Sequence, residues 1–351
     1  LNQKLGLQMR LAFVVMFTAA LLMGCQNEQK TAQPGEEKPV LTFTSLDPQF
    51  DVLIGAARRH EVLGSGYLWS EGPAWVPGRK ALFFTDVPGN VMYRWKAGEA
   101  VGEFMNPSGY SGPDSAMFRE PGMNGLFWDA DMGLLACDCG SRALVLLDLD
   151  TRQKTILAGS YDGKRLNSPN DCVSRDGHIY FTDPPYGLNG INDSPHKEQD
   201  ANGVYHLDPA GKLTRLTGEL SYPNGIAISP AGDFLYVSCS DPKRAIWMRY
   251  PRAGNGSVAV ENGELFFDAT ALAGAGAPGL PDGMAVDQNG NIFATGPGGV
   301  LLFSPEGKHL GTIATGSGIA NCAFGEDGHT LFLTANDRLI RLEVATRGLG
   351  F

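Results

Sequence analysis

Asn224-Gly225-Ile226-Ala227-Ile228, a turn through Pro230-Ala231-Gly232, and Phe234-Leu235-Tyr236-Val237-Ser238 form one unit of the pattern that decides the fold. A polar residue opens a short apolar run, a glycine turn follows, and an alternating strand ends in Thr, Ser or Cys. Two strands joined by such a turn are a β-hairpin. Five further copies flank this one. Upstream are Glu71-Gly72-Pro73-Ala74-Trp75 with Ala81-Leu82-Phe83-Phe84-Thr85-Asp86, Asn124-Gly125-Leu126-Phe127-Trp128 with Leu134-Leu135-Ala136-Cys137, and Asn170-Asp171-Cys172-Val173 with His178-Ile179-Tyr180-Phe181-Thr182-Asp183. Downstream are Asp282-Gly283-Met284-Ala285-Val286 with Asn291-Ile292-Phe293-Ala294-Thr295, and Asn321-Cys322-Ala323-Phe324 with Thr330-Leu331-Phe332-Leu333-Thr334. The copies start about 50 residues apart, the period of an arrayed β architecture.

Each repeat has room for two more strands, such as Val91-Met92-Tyr93-Arg94-Trp95 or Gly203-Val204-Tyr205-His206-Leu207. Four strands per unit make a propeller blade, and radial closure removes most open sheet edges. The sequence therefore predicts an all-β, six-bladed β-propeller with four-stranded blades over residues 40–351. Residues 40–70 are expected to supply an outer strand that closes the ring. A parallel β-helix needs much shorter repeats, and no helical period runs over any long window.

Ahead of the propeller, Arg10 precedes the apolar run Leu11 to Leu22, which leads into Met23-Gly24-Cys25. A basic residue before a short apolar stretch reads as a signal peptide, too short to span a bilayer. Leu22-Met23-Gly24-Cys25 resembles a bacterial lipobox. It predicts a lipoprotein-type leader over 1–24, with Cys25 the lipidated first residue of the exported protein. The polar stretch 25–39 reads as a flexible tether. The expected location is the bacterial cell envelope, in the periplasm, with the membrane reached only through the N-terminal lipid. The formal net charge is −10, and the leader, with Lys4 and Arg10 and no acid, leaves the rest more acidic. No Lys/Arg cluster suits a phosphate backbone, so nucleic acid is not an expected partner. A monomer acting on a small molecule is expected.

In a propeller the loop leading into each innermost strand faces the central channel. The first residues of the six repeats, Glu71, Asn124, Asn170, Asn224, Asp282 and Asn321, are thus expected to form a ring. The ring offers two carboxylates and four amides. Oxygen donors suit a hard dication, Ca²⁺ in preference, with Mg²⁺ also accommodated; weakly built oxygen sites also accept Mn²⁺ or Zn²⁺. The six His residues show no zincin spacing. Nucleophile-elbow, P-loop and dinucleotide signatures are absent. The five cysteines beyond Cys25 (137, 139, 172, 239 and 322) match no disulfide scaffold and read as buried thiols.

Several stretches carry a family resemblance: Glu71-Gly72-Pro73-Ala74-Trp75, Ser168-Pro169-Asn170-Asp171, Tyr180-Phe181-Thr182-Asp183-Pro184-Pro185-Tyr186-Gly187, Tyr222-Pro223-Asn224-Gly225, Pro281-Asp282-Gly283-Met284, and Asn291 through Val300. In this order the chain resembles the senescence-marker-protein/gluconolactonase/luciferin-regenerating-enzyme family, most of all its bacterial gluconolactonases. The resemblance implies metal ligation by Glu71, Asn170, Asn224 and Asp282, with Asp282 also the catalytic acid/base. It supplies no ligand role for Asn124 or Asn321, which are expected to contact substrate or bound water. Asn124, Arg142 and Tyr186 are candidate substrate contacts, and the insert Asn189 to Asn202 is expected over the channel. One departure is visible. Relatives in this branch often carry a His where this chain has Cys139, which implies altered specificity or weaker activity.

The implied reaction is hydrolysis of a sugar-type lactone. The metal polarises the carbonyl and Asp282 takes a proton from attacking water. Asp171 is a rival base, although a residue beside a ligand more often braces it. Two other functions fit the same ring: a metal-dependent esterase or phosphotriesterase, and a calcium-stabilised propeller that binds without turnover.

Overall fold

The alternating strands of the six repeats become six antiparallel sheets. A computed structural model of the chain describes residues 40–351. The leader, Cys25 and the tether predicted from sequence lie outside the described residues. Each blade runs from an innermost strand outward: Ser70–Val76 in blade 1, Met123–Asp129 in blade 2, Cys172–Arg175 in blade 3, Pro223–Ile228 in blade 4, Met284–Val286 in blade 5 and Asn321–Gly325 in blade 6. Blades 1 to 4 each hold four sequential strands in simple up-and-down order.

The ring closes through the N-terminal segment, as predicted. His60–Ser65 pairs antiparallel with Arg338–Glu343, so blade 6 takes its outermost strand from the start of the domain. A second strand there was not foreseen. Thr42–Ser45 pairs with His309–Ala314 and gives blade 5 a fifth strand. Between the two lies a short helix, Pro48–Ile54. Asp47 caps it, accepting from the Gln49 N–H at 2.9 Å, and Pro48 opens it, where a missing N–H costs nothing. Its apolar side, Phe50, Leu53 and Ile54, is buried against Phe293, Leu302, Leu333 and Leu342 of blades 5 and 6. Two helical turns are too short to register as a period in the sequence, which is why this element was missed.

Packing explains the composition of the strands. Every blade is covered on both faces by its neighbours, so strands such as Ala81–Asp86 and Thr330–Ala335 are buried along their whole length. The apolar residues fall into six clusters, one at each contact between adjacent blades. Ala74, Phe83 and Met92 of blade 1 meet Met123, Leu134 and Val145 of blade 2. Trp75 and Phe84 of blade 1 meet Phe332 and Leu339 of blade 6 on the other side. No helix among the described residues is long and apolar enough to cross a membrane.

Phe50 is fully buried beneath the closing strands. Phe50→Ala is expected to cost about 3–5 kcal/mol, read as a lower urea midpoint with an unchanged slope. A cost under about 1 kcal/mol would mean that the helix does not hold the closure together.

Candidate active site in the central channel

The Asn-Gly and Asp-Gly pairs that start the repeats are not turns. They sit where adjacent inner strands crowd together around the channel. A Cβ on Gly125 would strike the Asn170 carbonyl of the next blade, and one on Gly225 would strike the Asp282 carbonyl. Gly72 and Gly283 face the same crowding from Asn124 and Asn321. The hydroxyls that end the second strands use this closeness. Thr85 donates to the Asn124 carbonyl at 3.0 Å, Thr182 to that of Asn224 at 2.5 Å, and Ser238 to that of Asp282 at 2.9 Å. Asn124, Asn224 and Asp282 are thus fixed by the preceding blade. Asn170 is held by its own backbone, donating to the Thr182 carbonyl at 2.9 Å and accepting from Gly125 at 2.7 Å.

All six residues are brought to the channel as predicted, but their side chains divide into two kinds. Asn321 is spent. Its Oδ1 accepts from the Cys322 N–H at 2.8 Å, and its Nδ2 donates to Glu71 Oε2 at 3.2 Å and to Asp171 Oδ2 at 3.5 Å. It orients two carboxylates and offers no oxygen. Asn124, Asn224 and Asp282 each carry a buried Oδ1 with no hydrogen-bond partner. For Asn224 the orientation has a clear cause. Its Nδ2 donates to Ser240 Oγ at 2.8 Å, while the Ser240 hydroxyl donates to the Pro281 carbonyl, so the amide oxygen must face the channel. Glu71 uses Oε2 on Gly72 and Asn321 and leaves Oε1 free.

Unpartnered buried oxygens are costly unless a ligand satisfies them. Glu71 Oε1, Asn124 Oδ1, Asn224 Oδ1 and Asp282 Oδ1, with the neighbouring Asn170, make an all-oxygen donor set that fits a hard divalent cation. No group of three or more His, Cys, Asp or Glu side chains placed to hold a metal ion occurs among the described residues, so the donor set depends on the asparagine amides.

The carboxyls are strongly perturbed. Burial first, then repulsion from Asp171 and Glu120, pushes Glu71 up to about 8. Burial pushes Asp171 up to about 7. Asp282 is raised well above the usual carboxylate range by burial and by the charges of Glu71, Asp171 and Glu120.

Loops over the ring are clamped by acids from the same motifs. Asp86, ending Phe83-Phe84-Thr85-Asp86, accepts from the Leu68 and Trp69 N–H groups at 2.9 and 3.1 Å, just ahead of Glu71. Asp183 holds the Asn167 and Ser168 N–H groups at 2.8 and 2.9 Å, just ahead of Asn170. Arg142 lies under this second loop, fully buried. Its Nε donates to the Leu166 and Asn167 carbonyls at 2.7 and 3.0 Å, and Nη1 reaches Glu198 at 3.4 Å, which makes it a loop brace. Nη2 remains without a partner. Tyr186 stacks on Tyr222 at 5.5 Å, at the channel mouth. Burial pushes its hydroxyl well above the usual phenol range, with Ser240 and Asp282 as neighbours. The insert after it is tied down on both sides: Asn192 Nδ2 donates to the Tyr222 hydroxyl at 2.9 Å and Gln199 Nε2 to the Lys164 carbonyl at 2.9 Å. Cys139 is buried and its thiol donates to the Pro169 carbonyl at 3.5 Å. All five cysteines in the described residues are buried and unpaired.

Residues 69–337 match the family described as SMP-30/Gluconolactonase/LRE-like region. The chain belongs to this family. A gluconolactonase of Zymomonas mobilis is 41% identical over 87% of this chain and 87% of its own length. A gluconolactonase structure from Xanthomonas campestris aligns with 31% identity and a TM-score of 0.73, covering 86% of this chain and 94% of that one. Regucalcin from Agrobacterium tumefaciens, a calcium-binding protein, shares the fold at 22% identity and a TM-score of 0.64, over 83% of this chain and 95% of that one.

Two features of this family member were not legible beforehand. Glu120, 8% exposed, lies in the loop before Asn124, and burial pushes its carboxyl up to about 7. Only its place just upstream of a ring Asn hinted at it. A cavity of about 430 Å³ lies along the inner strands beyond the ring. It is lined by apolar residues including Trp75, Trp128, Met284 and Phe324, with Asp171 and Asn321 also on its wall.

Raised carboxyls make the cation-free protein bind more protons folded than unfolded. The excess runs from the ordinary carboxyl range, about pH 4, up to about 8 for Glu71. Stability therefore falls as pH rises through that window. Chelator-treated protein is expected to lose melting temperature between pH 5 and pH 8, and Glu71→Gln to flatten the slope. A melting temperature that rises with pH in both proteins would contradict the assignment.

Proposed function

We propose that the chain is a lactonase that opens sugar-type lactones with the help of one divalent cation, Ca²⁺ in preference, and with Asp282 as the general base. The observation that carries this reading is the set of three unpartnered oxygens, on Asn124, Asn224 and Asp282, turned into one channel. The identity of 41% to a gluconolactonase over most of both chains supports the substrate class. Glu71, Asn170, Asn224 and Asp282 would hold the cation. When bound, it supplies Lewis-acid polarisation of the lactone carbonyl and offsets the crowding of negative charge.

The protein's own groups do the rest. Asp282 is the partly exposed member of the ring, the other five being buried. Its carboxylate takes a proton from water as the water oxygen bonds to the carbonyl carbon. The carbon–ring-oxygen bond then breaks, and the released alkoxide recovers a proton, giving the open hydroxy acid. Tyr186 keeps its proton at neutral pH, because burial disfavours the phenolate, and so serves as a hydrogen-bond donor at the mouth. Cys139 also stays protonated: burial, and the charges of Glu120, Asp138 and Asp183, push its thiol up. A buried neutral thiol does not relay protons as an imidazole would, so proton traffic falls on Asp282. Asp171 is bound to the Cys172 N–H at 3.0 Å and to Asn321, a bracing role. The leader reading adds that the enzyme works as a monomer in the cell envelope, tethered through lipid on Cys25.

The test is pH-stat hydrolysis of glucono-1,5-lactone by the full chain, stripped with chelator and then given Ca²⁺, Mg²⁺, Mn²⁺ or Zn²⁺ in turn. Cation-dependent turnover is expected to drop by a factor of 10² or more in Asp282→Ala, an order of magnitude typical of a lost general base. Turnover equal to the spontaneous rate under every cation would sink the lactonase reading. Full activity in chelator would sink the metal.

A further inference from the structure

Glu120 is a buried carboxylate that the scheme above does not use. It differs from the other buried acids of the channel mouth. Asp86 and Asp183 each spend their oxygens on loop amides. Glu120 braces nothing with its side chain. Its backbone N–H donates to the Gly187 carbonyl at 3.3 Å, beside the Arg119 N–H at 2.9 Å, so backbone bonds hold the segment. Its Oε1 pairs at 2.9 Å with Arg119, a side chain half in solvent that also reaches the Tyr186 carbonyl at 3.5 Å. Its Oε2 accepts no hydrogen bond from any described residue.

The surroundings define a wall of the site. The Glu120-Pro121 segment packs on the Cys139-Gly140 turn: a Cβ on Gly140 would strike the Pro121 carbonyl, and Gly187 touches both Cys139 and Ser168. Four residues on, Asn124 turns its unpartnered Oδ1 into the same channel, 96% buried by its 4% exposure. One wall thus presents two acceptors, a carboxylate and an amide oxygen, and the one side-chain donor that meets them is the half-exposed Arg119 on Glu120 Oε1. A ligand filling this wall must bring hydrogen-bond donors. Vicinal hydroxyls do so in pairs and at carboxylate spacing, whereas an unsubstituted lactone ring brings none.

We propose that Glu120 is a substrate-recognition residue whose carboxylate accepts hydrogen bonds from the hydroxyls of a polyhydroxylated lactone, selecting sugar lactones over aliphatic ones. The proposal rests on the lactonase reading and adds the chemical basis of its specificity. It also accounts for the cost of burying this acid beside Glu71 and Asp282, since a hydroxyl-rich ligand solvates the charge when it displaces water.

The experiment compares wild type, Glu120→Ala and Glu120→Gln on glucono-1,5-lactone and δ-valerolactone with the activating cation present. Thermal unfolding is run on all three proteins. Glu120→Ala is expected to raise KM for gluconolactone roughly 30-fold, the size of a lost charged hydrogen bond, with kcat less affected. Its loss of kcat/KM on valerolactone is expected to be about ten times smaller, because that substrate never used the carboxylate. Glu120→Gln, which keeps one acceptor and nearly the same shape, is expected to recover part of the loss. Equal losses on both substrates, or no loss on either, would overturn the proposal. Wild type inactive on both lactones would defeat the lactonase reading instead. Glu120 is then judged by calorimetric titration with sorbitol: weaker binding in Glu120→Ala supports the role, and equal or absent binding overturns it.

Discussion

Everything at the centre of this protein depends on how closely six inner strands approach one another. At four of the six repeats the residue after the ring position is glycine, because the neighbouring blade fills the space where a Cβ would stand. That crowding lets Thr85, Thr182 and Ser238 of one blade bond the backbone of the ring residue in the next. Asn124, Asn224 and Asp282 are therefore positioned by backbone, and an oxygen of each is released from structural duty. Asn124, Asn224 and Asp282 can leave an oxygen unpaired because their main chains are already anchored.

The same geometry concentrates negative charge. Glu71, Asp171 and Asp282 sit in low-dielectric surroundings; Asp171 discourages ionisation of Glu71, and both discourage ionisation of Asp282. A stable fold can carry such a cluster because six apolar interfaces between blades provide the stability elsewhere. The cluster is a strained electrostatic arrangement, and burial raises the basicity of the carboxylates as it raises their cost. Asn321 moderates the repulsion between Glu71 and Asp171 by donating to both.

Above the ring, the loops act as one layer. The loop before Asn124 and the segment after Asp183 are joined by the bridge between Phe118 and Leu188 and by the Arg119 and Glu120 N–H bonds to Gly187. Arg142 and Asp183 hold this layer from beneath, the first through the Leu166 and Asn167 carbonyls and the second through the Asn167 and Ser168 N–H groups. Fixed backbone below and a tied loop layer above define a mouth whose walls are set before substrate arrives.

Much of this was written in local sequence. Hairpin alternation and its recurrence determined six blades, because a strand pattern needs only its own residues to be recognised. The ring of Glu71, Asn124, Asn170, Asn224, Asp282 and Asn321 was legible for the same reason: a propeller places equivalent repeat positions at equivalent points in space. What the ring members do was not. Asn124 and Asn321 read alike in the sequence, yet one turns an oxygen into the channel and the other spends its amide on two carboxylates. Arg142 read as a substrate contact, and it lies buried under a loop. Glu120 belongs to no repeat, and its place beside the ring follows from packing against residues some twenty and some seventy positions further on. Sequence determines which groups a repeat delivers to the axis. Only the tertiary structure decides which stay unpaired there, because pairing depends on partners that come from other blades.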